Sequence, residues 1–192
     1  MKNGFKVEKL AVSAMMLALA FVLSFIKIWQ MPFGGSVTLL SMLPICFVSI
    51  KYGLGWGFGT AFCYSVLQII QGEVFGWGLT PVMLIGSILL DYVLAFTILG
   101  IAGIFRKKGP AGMIAGTAIV CVLRFIIHFI SGIVLWANFE QFVAFGSTWV
   151  NRPVLYSLCY NGAFMLPETL ITLAGVAILA FVPVIKKLIK PV

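Results

Sequence analysis

Residues 111–136 read AGMIAGTAIVCVLRFIIHFISGIVLW. At 1.5 Å per residue the run is long enough to cross a bilayer as a helix. Its second half nevertheless carries Arg124 and His128, followed by Gly132 and Trp136. These four stand four residues apart, so on a helix they fall along one slowly drifting face. What they do there depends on the solvent the helix meets, and composition decides that. Of the 192 residues 62% are hydrophobic and only 9% are charged, against roughly 25% charged in soluble domains. The chain reads as an integral membrane protein.

Outward from this stretch, apolar windows cover 9–28, 36–51, 55–71, 80–104 and 153–184. With 111–136 they give an all-α integral membrane protein, a compact bundle of six transmembrane helices forming one domain over 1–192. The second and third windows are short and are divided by the glycine-rich KYGLGWG at 51–57. A closed β-barrel needs segments of about ten residues in strict alternation, and VMLIGSILL and FIIHFI do not alternate.

Six spans put both termini on one side. That side receives Lys2, Lys6, Lys9, Lys51, Arg106, Lys107, Lys108, Lys186, Lys187 and Lys190, while the other receives Lys27 and Arg152. By the positive-inside rule both termini are cytoplasmic and the protein is a multi-pass component of a prokaryotic cytoplasmic membrane. The net charge of +8 is then a topology signal facing lipid headgroups, and nucleic acid is not an expected partner. The apolar run that passes through ALAF at 18–21 continues to Ile28, which favours an uncleaved first helix over a secretory signal cut after Ala20. Cys46, Cys63, Cys121 and Cys159 fall one per helix without a C-x-x-C pair, so neither a metal site nor a disulfide framework is implied. No G-x-x-x-x-G-K-[ST] occurs. Transport against a gradient would therefore draw on an ion gradient or on another polypeptide.

Ionisable groups at membrane depth cost about 2.5–3.5 kcal/mol on insertion scales, so each needs a partner or a purpose. Asp91, Arg124, His128 and Glu168 are those groups. Counted from the outer helix ends, Asp91 lies about 15 Å deep, His128 about 12 Å, Arg124 about 18 Å and Asn161 about 12 Å. They share a layer in the outward half, with Trp136 and Tyr156 above it and Tyr92 and Tyr160 adjoining. Such a layer reads as a small-ligand cavity whose carboxylate favours a cationic or amine-bearing ligand and whose aromatics add cation–π contact. Structural readings stand beside it: an Asp91–Arg124 pair, an interhelical hydrogen bond for His128, and interfacial anchoring for Trp136 and Tyr156. Glu168, about 22 Å down the last helix and next to Pro167, answers either a kinked backbone or Arg124, and carries no ligand role.

Four stretches carry a family likeness: MPFGGSVTLLSMLPI at 31–45, LLDYVLAF at 89–96, LRFIIHFISGIVLW at 123–136 and LYSLCYNGAFMLPE at 155–168. In that order and spacing the chain resembles the thiamine-specific substrate-binding subunits (ThiT/YuaJ type) of energy-coupling factor transporters. The resemblance implies capture of thiamine from outside and docking on one transmembrane coupling protein and two cytoplasmic ATPases. It assigns substrate contact to Asp91, Tyr92, Arg124, His128, Gly132, Trp136, Tyr156 and Asn161, with Asp91 on the aminopyrimidine and a neutral His128 against the thiazolium. Trp29 and Trp77 are the candidates for an outer-loop tryptophan. Ala14 and Ala18 form an A-x-x-x-A pattern, which lets another helix approach closely; the resemblance turns it toward the coupling protein. No catalytic residue, cofactor or metal is expected.

Two other functions remain open on the residues alone. A self-sufficient proton-coupled transporter of thiamine or another vitamin would carry its proton on Asp91, His128 or Glu168, although no inverted repeat is visible. An intramembrane enzyme would need a nucleophile arrangement that His128 with Ser131 or Cys121 does not make.

Overall fold

The structure is a computed structural model that describes residues 2–136, 143–144, 147–148 and 152–191; the side chains of Lys2 and Lys186 lie outside the described residues. The chain is mostly helical. Helix α1 spans Lys2–Ser24 and is followed by a short antiparallel hairpin, β1 Lys27–Gln30 and β2 Ser36–Thr38. Then come α2 Leu43–Tyr52 and α3 Leu54–Gln71, parted by Gly53, whose φ of +94° is open to glycine at little cost. The membrane-crossing stretch Pro81–Ile101 forms α4, and α5 runs over Gly109–Ser131 and continues as a wider turn through Gly132–Trp136. After two short strands, β3 Val143–Ala144 and β4 Ser147–Thr148, the chain ends in α6 Pro153–Phe181 and α7 Pro183–Ile189.

Four of the described helical stretches are long and apolar enough to cross a membrane: Lys6–Ser24, Pro81–Ile101, Arg106–Trp136 and Pro153–Phe181. The second expected span differs most from its sequence reading of 36–51. Its first residues form β2, and helix starts only at Leu43. The cause is local: Thr38 is bonded to a side chain of α6, and Leu40 takes φ +61°, which no helix accommodates. The first helix stops at Ser24 rather than 28 because the chain turns into β1. The last breaks at Val182, since a residue before proline is pushed out of the helical region, here to ψ 117°.

Packing follows the rules of a membrane bundle. On α5 the large side chains Ile119, Val122, Ile126, Ile130 and Val134 are exposed, whereas Thr117, Val120, Cys121, Arg124, His128 and Ser131 are buried. The polar stripe thus faces the bundle and the apolar one faces outward, the arrangement that lipid favours. Helices α3 and α4 cross at Gly57 and Gly100, where a Cβ on Gly57 would lie 2.6 Å from the Gly100 carbonyl oxygen. The Ser49 hydroxyl of α2 donates to that carbonyl at 2.6 Å and accepts from the Gly103 amide at 2.9 Å. Small residues that let backbones meet, with one hydroxyl bridging them, supply the association that hydrophobicity cannot supply in lipid.

Candidate functional site

A cavity of about 250 Å³ is lined by α3, α4, α5, α6 and the β1–β2 hairpin. Both helices that carry its central polar residues widen beside it. Residues Ile88–Leu94 of α4 and Gly132–Trp136 of α5 adopt π-helical turns, which occur preferentially at functional sites because they re-aim side chains. Asp91 sits in the first of these turns and Trp136 ends the second.

Asp91 gathers four donors. Its Oδ2 accepts from Ser87 Oγ at 3.1 Å, Ser131 Oγ at 2.7 Å and Trp136 Nε1 at 3.1 Å, and its Oδ1 meets His128 Nδ1 at 3.0 Å. The bond from Asp91 fixes the His128 ring, so in its neutral form the proton sits on Nδ1 and Nε2 is left as an acceptor. That Nε2 is buried with no hydrogen-bond partner among the described residues. Oδ1 holds one donor only, so it retains acceptor capacity.

Arg124 does not pair with Asp91. Its guanidinium lies 4.3 Å from the centroid of the Phe96 ring, and Nη1 points at the Met42 sulfur. The expected alternative of an Asp91–Arg124 structural pair is therefore corrected: the aspartate is held by neutral donors and the arginine rests on an aromatic face.

On α6, Asn161 donates to the His128 carbonyl at 3.1 Å and to the Ser157 carbonyl at 3.0 Å, so one amide ties α5 to α6 beside the cavity. Gly132 makes this approach feasible, because a Cβ there would collide with the Ser157 hydroxyl and lie 3.1 Å from Asn161 Nδ2. Tyr160 reaches the hairpin: its hydroxyl accepts from the Gly35 amide at 3.1 Å and donates to the Pro32 carbonyl. About two turns further along α6, Glu168 accepts from the Thr38 amide at 2.6 Å and from Thr38 Oγ1 at 2.7 Å. Glu168 thus bonds to the hairpin, and its carboxylate also interacts electrostatically with Arg124.

Of the residues singled out from sequence, Asp91, Tyr92, Arg124, His128, Gly132, Trp136, Tyr156, Asn161 and Trp77 all line this cavity. Trp77 and Trp136 pack edge to face at 5.6 Å, with Phe33 at 5.6 Å from Trp136. Trp29 is not brought there; it lies on β1 and is 45% exposed. Sequence reading missed the hairpin as a wall and the side chains of Gln68 and Gln71 from α3.

The sequence model of the thiamine transporter protein family (Thia_YuaJ) matches residues 10–188. The chain belongs to this family of thiamine transporters. Thiamine transporter ThiT of Bacillus subtilis (strain 168) is 32% identical over 186 residues, covering 89% of this chain and 89% of that protein. Thiamine transporter ThiT of Lacticaseibacillus paracasei is 28% identical over 151 residues, or 72% of this chain and 70% of the relative. The solved structure of ThiT from Listeria monocytogenes matches with a TM-score of 0.74 at 23% identity, covering 96% of this chain and 98% of that one, and shows the shared fold. As a Thia_YuaJ family member, the chain is a bacterial membrane transport protein and not an enzyme.

Proposed function

We propose that the cavity binds thiamine and that the chain is the substrate-binding subunit of an energy-coupling factor transporter, with six spans, cytoplasmic termini and a pocket open to the exterior. The observation that carries this reading is the position of Asp91 in a cavity that also presents the rings of Phe33, Trp77, Tyr92, Trp136, Tyr156 and Tyr160. Thiamine offers an aminopyrimidine whose exocyclic amine needs an acceptor, and Oδ1 has capacity for one. It also offers a fixed thiazolium cation, which gains from aromatic faces when desolvated. The unpartnered acceptor nitrogen of His128 lies beside the same carboxylate and favours that cation further.

Import would then be driven from outside the chain. Ala14 and Ala18 are both exposed on α1, and Ala14 borders a shallow apolar groove with Leu10, Leu17, Gly55 and Gly59. Small side chains beside a groove suit close approach of the coupling protein's helices, with two cytoplasmic ATPases supplying the energy. A self-sufficient proton-coupled mode is the alternative.

The test is a titration of the purified protein followed by tryptophan fluorescence, with thiamine, riboflavin, biotin and pyridoxamine compared. Saturable quenching by thiamine alone is expected, and equal quenching by another vitamin would reassign the ligand. Uptake into liposomes by the chain alone under a pH gradient would favour the proton-coupled mode.

A further inference from the structure

The cavity has a second polar end. Where α1 and α3 finish, Ser24, Gln68 and Gln71 line it together, as does Tyr92, the residue next to Asp91. The hydroxyl of Tyr92 lies against Gly72, one residue beyond Gln71, in space that a Cβ on Gly72 would fill. One residue of α4 therefore abuts the polar end while its neighbour, Asp91, anchors the other.

Ser24, Gln68 and Gln71 bond to one another in a closed triangle. Ser24 Oγ meets Gln71 Oε1 at 2.7 Å, Gln68 Nε2 meets Ser24 Oγ at 3.1 Å, and Gln68 Nε2 meets Gln71 Oε1 at 2.9 Å. Ser24 Oγ also lies 2.6 Å from the Phe21 carbonyl, but a hydroxyl carries a single proton and serves one acceptor at a time. Each amide head uses one side in the triangle. The other sides, Gln68 Oε1 and Gln71 Nε2, have no partner among the described residues. Turning both amides over exchanges the labels but leaves the same result: one spare donor group and one spare acceptor, side by side and held by mutual bonds. A ligand group that both accepts and donates fits such a pair, and a hydroxyl is the smallest group that does.

We infer that Ser24, Gln68 and Gln71 form a hydroxyl-reading subsite that receives the terminal alcohol of the substrate's hydroxyethyl arm while Asp91 holds the amine at the other end. The inference rests on the thiamine reading above. It adds that the protein measures its substrate at both ends, with the aromatic rings between. Loss of the alcohol would strand the two amide groups in a partly buried wall, which weakens binding by about ten-fold for a neutral donor and acceptor pair.

The experiment compares thiamine with the analogue in which ethyl replaces hydroxyethyl, by calorimetry on the full-length protein in detergent. Wild type is expected to bind the ethyl analogue about ten-fold more weakly. In Gln71→Leu and in Gln68→Leu the ratio is expected to fall toward one, mainly through weaker thiamine binding, with the ethyl analogue bound as in wild type. Gln71→Met, close in length to the native side chain, repeats the comparison with the least disturbance of packing, and undiminished binding of the ethyl analogue reports an intact fold. Equal affinity of wild type for the two ligands overturns the subsite and leaves the thiamine reading standing. So does a ten-fold preference that survives in all three variants, because the alcohol is then read elsewhere. Failure of wild type to bind either ligand overturns both.

Discussion

In the proposed function recognition turns on Asp91, and its four donors decide how a substitution there acts. Asn at this position keeps the shape but replaces one acceptor oxygen by an NH2, which faces either His128 Nδ1 or the three donors on Oδ2. Charge-assisted bonds are worth about 1.5–3 kcal/mol each. Asp91→Asn is therefore expected to weaken thiamine binding by about 10- to 100-fold, read by calorimetry or by loss of tryptophan quenching. A residual affinity within about two-fold of wild type would show that the amine is held elsewhere. Ser131 and Ser87, which carry no charge and attract no notice in the sequence, belong to this unit because each spends its one proton on the carboxylate.

At the scale of elements, the hairpin is the part that helix periodicity does not reveal. MPFGGSVTLLSMLPI is mostly apolar, and a short apolar run reads equally as strand or helix. What separates the two is held elsewhere in the chain: Tyr160 grips Pro32 and Gly35, and Glu168 grips Thr38. The α5 wall was legible because its polar residues recur at a helical period against an apolar background, as was Asp91 as a carboxylate at membrane depth. Gln68 and Gln71 were not, because glutamines near a helix end look like ordinary solvated termini until a cavity is found behind them. The π turns left no sequence mark at all.

Glu168→Leu removes the carboxylate that the Thr38 amide and hydroxyl donate to, leaving the hydroxyl with Ser41 and the amide without that acceptor, a loss of about 1–3 kcal/mol. The hairpin is then expected to open more often, so that trypsin cuts after exposed Lys27 roughly ten-fold faster than in wild type. Glu168→Gln keeps one acceptor and should fall between the two; unchanged cleavage in Glu168→Leu would mean that Tyr160 alone secures the hairpin.

For the whole molecule, binding and import separate in space. The cavity is built from α3 to α6, the hairpin and the end of α1 at Ser24, whereas Ala14 and Ala18 lie exposed further back along α1. Leu at either alanine adds three carbons on a surface that a neighbouring helix must approach closely. Ala14→Leu and Ala18→Leu are expected to leave thiamine affinity within about two-fold of wild type. In cells supplied with the coupling protein and ATPases, uptake should fall by about ten-fold or more. Full uptake by both variants would remove α1 from the interface.

The four donors around Asp91 also bear on the sodium and potassium that bathe any bacterial surface. An alkali ion shedding its water needs several oxygen lone pairs turned toward it, but here the nearby hydroxyl, indole and imidazole groups aim hydrogens at the carboxylate and would repel it. A flat organic cation asks less, since one amine hydrogen on Oδ1 and ring faces for the rest suffice. On the proposed function the caged carboxylate would thus let the vitamin reach its seat without competition from these ions.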